Sequence, residues 1–339
     1  MNSEAEAIQQ AGEEHRLNIL PAMADPRLVS DQQAARRLDR VAVNAALRRL
    51  GAAKEAPWLH GEVARRMAER LAIIRLKPER LVDWWSFLGT GAELLNAAYP
   101  KAQRLVVEPT ADLLERSKAA LQRPWWSAAR WTGGGAEAVL DALDTPWPEA
   151  SAGAQLVWAN MMLHFVVDPP ALFERWQRAL GVDGFVMFSC LGPGTLRELR
   201  AIYQKLGWPA PTPGFIDMHD LGDMLVQAGF ADPVMDQETL TLSWESSQAL
   251  LTELHTLGGN TAPERQRGLR TPRWRAQLEH ALEALRGADG RLSLSFEVAY
   301  GHAFKAAPRL RPGEETTVSL DDMRAMVRSG RGAGPQTGR

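Results

Sequence analysis

Cysteine is nearly absent from the 339-residue chain, in which Cys190 is the only one. A single thiol excludes an internal disulfide framework and a cysteine-rich metal site, and it is compatible with a reducing compartment. Long apolar runs are missing too, since no stretch approaches the ~20 residues that span a bilayer. The first residues are polar and acidic, without the apolar core of a signal sequence. We therefore expect a cytoplasmic protein that does not bind a membrane.

The chain also lacks an excess of charge of one sign. Its 39 lysines and arginines nearly balance 41 aspartates and glutamates, which gives a formal net charge of −2. This balance does not favour nucleic acid as a partner. The 7 histidines are scattered without metal-ligand spacing, so we expect no metal centre. The motifs of an acyl-enzyme serine and of a triphosphate-binding loop are absent as well.

What the chain does contain is 45% apolar residues, enough for one large core. Residues 1–27 and 306–339 lack regular apolar spacing, and we predict that both are mobile tails. Residues 28–305 form the predicted domain between them. In its first part, 31–76, apolar residues recur at helical spacing and predict two amphipathic helices that cap the domain.

Beyond residue 76, short apolar runs alternate with helical patterns. Strands are predicted at 80–83, 104–108, 154–159 and 184–189, with two long late strands at 233–243 and 292–304. Helices are predicted at 92–98, 111–121, 170–180, 217–229, 246–257 and 272–285. Such alternation is typical of a doubly wound parallel sheet. We predict an α/β fold with a seven-stranded, mostly parallel sheet, in which the late strands form an antiparallel hairpin.

A turn with two glycines follows the first predicted strand, where residues 82–91 read VDWWSFLGTG. In an open α/β sheet, ligands bind beyond the carboxyl ends of the strands, where a glycine turn lets backbone approach a nucleotide-like ligand. We assign this role to Gly89 and Gly91, with Asp83 at the strand end. Glu108 ends the next strand and is the expected acceptor for ribose hydroxyls. A tight turn with a strand-end carboxylate is the structural alternative.

Several long segments of the second half carry a family resemblance: 157–170 (VWANMMLHFVVDPP), 184–189 (GFVMFS), 192–200, 214–236 and 296–304. With these segments the chain resembles class I S-adenosylmethionine-dependent methyltransferases. More narrowly, it resembles the malonyl-acyl-carrier-protein O-methyltransferases of biotin synthesis. The resemblance implies a Rossmann-like fold, S-adenosylmethionine as cofactor, and an acyl carrier protein with a malonyl thioester as partner.

Two departures from the family pattern fall on the cofactor side. Between Asp83 and Gly89 stand Trp84 to Leu88, where the family motif resembles Asp-x-Gly-x-Gly-x-Gly. Either two residues are inserted here, or two glycines have become aromatic. The third-strand motif, Gly-Asp-Ala-Glu in the family, ends at Glu137 and has Gly135 in place of the aspartate expected near adenine. An open crevice beside the turn would favour an enzyme.

The resemblance implies further site residues. Glu137 and Asn160 match cofactor-side positions, although Asn160 also suits a turn or helix cap. His164 and His219 match substrate-side positions. Burial against the sheet explains His164 as well, and the start of a helix at Asp217 explains His219.

Methyl transfer to a carboxylate requires no general base, because a carboxyl group with a reference pKa near 4 is already ionised at neutral pH. The enzyme must align the reactants and exclude water, so we expect positioning residues only. A guanidinium can hold both oxygens of a carboxylate. We assign this role to Arg200 and, second, to Arg197; a solvated helix face is the alternative for both.

The densest positive run lies at 263–275 and contains Arg265, Arg267, Arg270, Arg273 and Arg275. We expect it to steer an acidic carrier protein, with a solvated basic loop as the alternative. Two other functions stay open. One is a catalytically inactive protein of the same fold that serves assembly or protein binding, and the other is a methyltransferase whose acceptor is a protein side chain.

Overall fold

The computed structural model describes residues 38–121, 135–141 and 153–307. Both predicted tails therefore lie outside the described residues, except for 306–307. In chain order the elements are α1 (Arg40–Ala52), α2 (Trp58–Leu71), β1 (Arg80–Trp84), α3 (Ser86–Gly89), α4 (Ala92–Ala98), β2 (Gln103–Glu108), α5 (Ala111–Leu121), β3 (Ala136–Leu140), β4 (Ala154–Ala159), a 3-10 turn (Leu163–Phe165), α6 (Pro169–Ala179), β5 (Leu180–Leu191), α7 (Arg197–Lys205), α8 (Met218–Gln227), β6 (Ala231–Trp244), α9 (Ser247–Thr256), α10 (Pro272–Glu283) and β7 (Leu292–Phe304).

The described strands form one sheet in the order β3-β2-β1-β4-β5-β7-β6. Neighbouring strands from β3 to β5 are parallel, whereas β7 runs antiparallel to both β5 and β6. This topology confirms the predicted fold class, including the antiparallel final hairpin. Successive strands are added to one side of β1 up to β3 and to its other side from β4 onward. Ligands of such folds bind beyond the carboxyl ends of the strands at this switch point.

One strand boundary differs clearly from its prediction. β5 spans Leu180–Leu191 and is therefore longer at both ends than the predicted 184–189. Leu180, predicted as the last residue of a helix, pairs instead with Ala154. The register then shifts, and Asp183 adopts a positive φ of 62°. Local periodicity does not reveal such an irregular pairing, because it depends on a strand distant in sequence.

Alternate residues of the central strands enter two separate cores, one on each face of the sheet. On one face Trp84 packs against Trp176 of α6, with ring centroids 5.8 Å apart. On the other face Trp158 belongs to a buried cluster with Met67 of α2 and Leu278 of α10. Each fully buried aromatic side chain stabilises the fold by about 1.5–3 kcal/mol or more. The sheet that positions the site is therefore rigidly packed on both faces.

Helix α1 lies over the carboxyl edge of the sheet. Its Leu50 belongs to the same buried cluster as Leu88, Leu113 and Phe165, which come from the segments after β1, β2 and β4. A Cβ on Gly258 would lie 3.1 Å from Leu50 and 3.0 Å from Phe165, so these side chains meet there. The predicted amphipathic pair is thus present as α1 and α2, and α1 covers the edge where a ligand is expected.

Charged side chains form hydrogen bonds at both ends of α1. Asp39 caps the helix by accepting from the Val41 N–H at 2.8 Å, and its other carboxylate oxygen accepts from Arg265 at 2.7 Å. At the other end Arg116 of α5 donates to the carbonyls of Gly51 and Ala53. These contacts satisfy helix-end groups that would otherwise lack partners.

Replacing Gly91 by alanine should destabilise the protein by about 1–3 kcal/mol, the usual cost of overpacking a core. A Cβ at this position would lie only 2.4 Å from Nε1 of Trp158, a fully buried ring. Gly135→Ala is the matched control, because nothing lies within 4 Å of its Cβ position. Urea denaturation of both variants checks this, and equal midpoints would contradict it.

Candidate active site

Polar side chains end four neighbouring strands at one edge of the sheet. Asp83 lies near the end of β1, Glu108 is the last residue of β2, and Asp141 and Asn160 directly follow β3 and β4. Because these four strands are parallel, their carboxyl ends meet at the same edge. The structure thus brings together three of the predicted cofactor-side residues, and it adds Asp141.

Glu108 is fully buried. Its Oε1 accepts from the Phe87 N–H at 2.8 Å and from the Ser117 hydroxyl at 2.6 Å. Its Oε2 has no hydrogen-bond partner among the described residues. Burial raises the pKa of this carboxyl to about 7, against the opposing effect of the two hydrogen bonds. One oxygen is therefore held by the protein, and the other is a buried acceptor without a donor.

Asp83 is buried in the same way. Its Oδ2 accepts from the Ser86 hydroxyl at 2.5 Å and lies 3.6 Å from Nη1 of Arg104. Its Oδ1 lacks a partner among the described residues. Burial raises the pKa of Asp83, while Arg104 and Ser86 act in the opposite direction. The pair of orphaned carboxylate oxygens marks this edge as polar but closed to solvent.

Glu137 does not reach this edge. It pairs with Leu105 in the first half of β3, is exposed, and borders a cavity at the amino half of the sheet. Gly135 precedes the strand. Asp141 directly follows it, with its N–H bonded to the Glu108 carbonyl at 2.6 Å. The apolar residues just before Asp141 could have predicted a strand that ends in a carboxylate, because the same pattern precedes Glu108.

The turn after β1 is a short helix rather than an open glycine loop. α3 spans only Ser86–Gly89, and it is flanked by Trp85 at φ 55° and Thr90 at φ 51°. Both flanking residues adopt the left-handed conformation, which is uncommon for side chains other than glycine, asparagine and aspartate. The Trp85 N–H donates to the Val107 carbonyl at 2.6 Å, which fixes the start of the turn against β2.

Both tryptophans of this turn donate to Asp141. The indole Nε1 atoms of Trp84 and Trp85 lie 3.2 and 3.1 Å from its Oδ2. Its Oδ1 accepts from Arg175 of α6 at 2.6 Å. The strand-end carboxylate of β3 is thus engaged by donors of the protein itself.

Phe87 connects the turn to α5. Its ring lies under the guanidinium of Arg116, 4.0 Å from the centroid, while its N–H bonds to Glu108. Arg116 is also the residue that holds the C-terminal end of α1. The turn, the helix after β2 and the covering helix therefore share one side chain.

Neither predicted ligand-approach glycine faces an open space. A Cβ on Gly89 would lie 3.5 Å from the Asn160 carbonyl oxygen, and one on Gly91 would overlap Trp158. Gly91 therefore allows close packing of the turn against β4, whereas a Cβ on Gly89 would lie at ordinary contact distance. The role predicted for both glycines stays a prediction.

Asn160 binds the protein rather than an open pocket. Its amide Nδ2 donates to the carbonyls of His60 and Gly89, both at 2.8 Å, and its Oδ1 accepts from Ser189 at 2.6 Å. The amide therefore links α2, the turn and β5. Together with the contacts of Glu108, these bonds join the turn after β1 to the strand ends.

The two predicted histidines lie in different surroundings. Nδ1 of His164 is buried without a partner among the described residues, and its ring lies 6.5 Å from that of His60. Burial lowers the pKa of His164 to about 3, and His60 adds to this effect. Burial likewise lowers the pKa of His60 to about 4. His219, in contrast, is exposed in the first turn of α8 and contacts Asp217.

The two predicted substrate arginines start α7, next to the end of β5. Arg200 donates to the carbonyl of Pro193, in the turn between β5 and α7. Arg197 is 64% exposed and pairs with Glu198 at 3.2 Å. Among the described ion pairs Arg200 has no carboxylate partner, so it is the better placed of the two to receive one.

Among the described residues, no group of three or more histidine, cysteine, aspartate or glutamate side chains could hold a metal ion. None of the helices in this part of the chain has the length and apolar character needed to cross a bilayer.

Several malonyl-acyl-carrier-protein O-methyltransferases are similar in sequence to this chain over most of its length. A malonyl-acyl-carrier-protein O-methyltransferase of Gallionella capsiferriformans is 41% identical over 253 residues, which are 74% of this chain and 86% of that protein. One of Laribacter hongkongensis is 38% identical over 79% of this chain and 88% of its own length. One of Legionella pneumophila is 32% identical over 76% and 88%. No protein-family model matches the chain.

Solved structures show weaker likeness. The YcgJ protein of Bacillus subtilis gives a TM-score of 0.47 at 10% identity and covers 72% of this chain and 99% of its own. Phosphoethanolamine N-methyltransferase 2 of Haemonchus contortus, in complex with S-adenosyl-L-methionine, gives 0.42 at 14% identity over 79% and 57%. Because these scores are low, the sheet order and the sequence relatives carry the assignment.

Removal of the Glu108 carboxyl should flatten the pH dependence of stability between about pH 4.5 and 7. Its pKa is raised to about 7 in the folded protein, so the folded state binds more protons than the unfolded state in this window. Stability from this group is therefore present at the acid end and is lost as pH rises.

Glu108→Gln should remove up to about 1.4 kcal/mol per pH unit of that slope. Urea denaturation at several pH values measures it, with the exposed Glu137→Gln as control. An unchanged slope in Glu108→Gln would show that the carboxyl titrates alike in both states.

Proposed function

Because the chain belongs to the malonyl-acyl-carrier-protein O-methyltransferase family, we propose that it methylates the free carboxylate of a malonyl thioester on an acyl carrier protein. The observation that carries this proposal is the 41% identity to a relative of that name over 74% of the chain. The ester masks the charge of the malonyl end, so that chain elongation toward biotin can proceed. A single cysteine is compatible with the reducing cytoplasm, where we propose that the enzyme acts.

The methyl donor is S-adenosylmethionine, whose sulfonium supplies an electrophilic methyl group. The residues at the carboxyl edge fit this cofactor in chemical type. Glu108 has a buried Oε2 without a donor among the described residues, and a strand-end carboxylate of this kind accepts from ribose hydroxyls. Asp141 would accept from the adenine amino group, and Asn160 lies beside the turn. Asp83 and the two glycines hold the backbone of the turn.

At the acceptor end the protein must place a carboxylate that is already ionised. Arg200 is the candidate, because a guanidinium can bind both carboxylate oxygens in one plane and its neighbour Arg197 is engaged with Glu198. His164 contributes a neutral ring near the covered edge, since burial keeps its pKa low. Helix α1 excludes water from this edge, which strengthens the electrostatic contacts beneath it.

Arg200→Ala should lower kcat/KM for the malonyl carrier by about 10- to 100-fold through KM, the loss expected when a bidentate charge pair is removed. Arg200→Lys should recover only part of this, because an ammonium cannot bind both oxygens in one plane. Arg197→Ala is the matched control on the same helix turn and should change kcat/KM less than threefold. Steady-state kinetics measure all three, and equal losses for Arg197 and Arg200 would contradict the assignment.

The arginine run forms the proposed carrier-docking loop, but its five arginines are not equivalent. Arg265 bonds to Asp39, and Arg275 pairs with Glu279 at 2.8 Å. Arg270 stacks on Trp274 at 4.0 Å. Arg267 is 73% exposed, although it lies 3.6 Å from the Asp39 carboxylate, and Arg273 is exposed without an ion-pair partner among the described residues. These last two arginines are the ones available to an acidic partner, and the fully exposed Leu269 lies between them in sequence.

The double variant Arg267→Glu, Arg273→Glu should raise KM for the malonyl carrier protein by at least tenfold, because like charges at a docking surface cost affinity. KM for malonyl pantetheine, which lacks the protein, should stay unchanged. Arg178→Glu on α6, at the opposite face of the sheet, controls for a general effect of charge. Equal effects on both substrates would argue against docking at this loop.

The proposed activity is tested by incubating the full chain with S-adenosylmethionine and malonyl-acyl carrier protein and weighing the carrier by mass spectrometry. A mass increase of one methylene, with restored growth of a biotin-requiring strain that lacks its own enzyme, supports the proposal. The engagement of Asp141 by donors of the protein itself is the specific observation that favours a catalytically inactive protein instead. Absence of both transfer and binding of S-adenosylhomocysteine at millimolar concentration would decide for that alternative, and methylation of a protein side chain would identify a different acceptor.

A further inference from the structure

Both carboxylate oxygens of Asp141 are engaged by donors of the protein, one of them the indole of Trp85 in the turn that should face the cofactor. From this we infer that residues 85–87, which we call the gate segment, compete with the cofactor for Asp141 and must move before a nucleoside can bind. The inference rests on the proposed function, because it concerns the binding of S-adenosylmethionine.

The donors of the gate segment resemble those of the nucleoside. The Trp85 indole N–H donates to Asp141 at 3.1 Å, where an adenine amino group would donate. The Phe87 N–H donates to Oε1 of Glu108 at 2.8 Å, and Oε2 stays available to a ribose hydroxyl. At Asp141, in contrast, Oδ2 already accepts from two indole N–H groups and Oδ1 from Arg175, so an adenine amino group has to displace a donor. Binding and the present conformation of the gate segment therefore exclude each other.

The backbone of the gate segment carries strain at its start. Trp85 has φ 55°, and it caps α3 without any side-chain bond to the helix N–H groups. A bulky residue in this conformation is strained and persists only where surrounding contacts impose it. α3 has only 4 residues, too few to be stable by themselves. The closed conformation thus depends on the bonds to Asp141, Glu108 and Val107.

The far end of the turn is held independently of the gate segment. The Leu88 carbonyl lies 2.8 Å from Nδ1 of His60, and the Gly89 carbonyl accepts from Asn160 at 2.8 Å. Gly91 is locked against Trp158. Movement is therefore restricted to residues 85–87, between the end of β1 and these fixed points.

Binding in two steps has a kinetic signature. If opening precedes binding or a slow rearrangement follows it, the observed rate of binding reaches a plateau as ligand concentration rises. Release of Trp85 from its buried position should shift its emission to longer wavelength. Stopped-flow fluorescence with S-adenosylhomocysteine measures both, and the expected result is a saturating rate with a red shift that is absent in Trp85→Phe.

Trp85→Phe is the decisive variant, because it keeps an aromatic ring and removes the N–H that engages Asp141. We expect it to bind S-adenosylhomocysteine about fivefold to tenfold tighter by isothermal titration, the effect of one hydrogen bond lost from the closed state. Trp176→Phe is the matched control: Trp176 is buried beside Trp84, and its Nε1 has no partner among the described residues. Thermal denaturation establishes that both variants fold.

The outcomes separate this inference from the proposed function. Two outcomes overturn the gate and leave methyl transfer possible. One is that Trp85→Phe binds S-adenosylhomocysteine no tighter than Trp176→Phe does. The other is that the observed binding rate of the wild type rises linearly with ligand concentration, without a plateau. Binding by Trp85→Phe alone supports it strongly. Lack of binding in every variant, together with lack of methyl transfer, overturns the proposed function and the gate with it.

Discussion

The structure depends on how the carboxylates at the strand ends are satisfied without water. Glu108 and Asp83 are buried, each with one oxygen bonded to its own chain and one without a partner among the described residues. Burial alone raises the pKa of both groups, so their charge is costly in this environment. The hydrogen bonds from the turn after β1 offset part of that cost. Everything else at this edge, including the strained backbone and the covering helix, is arranged around these acceptors.

Family membership and the closed edge are compatible. Relatives named malonyl-acyl-carrier-protein O-methyltransferase share 41% and 38% identity over about three quarters of the chain. The sheet order is that of a doubly wound fold with an antiparallel end, and the polar residues lie at its carboxyl edge. In this conformation the turn after β1 donates to Glu108 and Asp141. A protein can therefore keep the acceptors that a cofactor needs while presenting them to its own side chains.

The fold was predictable from the sequence because the strands of the central sheet are short apolar runs between helices. The late strands, Ala231–Trp244 and Leu292–Phe304, were recognisable by their length alone. The site was predictable only in part. Glu108 was predicted from its strand end and Asn160 from the family resemblance, and both lie at the carboxyl edge, whereas Asp141 lies there without having been predicted because no strand was predicted before it. The contacts of Trp85 could not be predicted, since they join segments distant in sequence through a left-handed residue.

Arg116 connects features that the sequence places far apart. Its guanidinium binds the last carbonyls of the helix over the sheet edge, and it rests on the ring of Phe87. A shift of that ring would remove a cation–π contact of the guanidinium that binds the end of α1. The helix over the sheet edge and the turn after β1 thus share one cation, so a substitution of Arg116 would affect both.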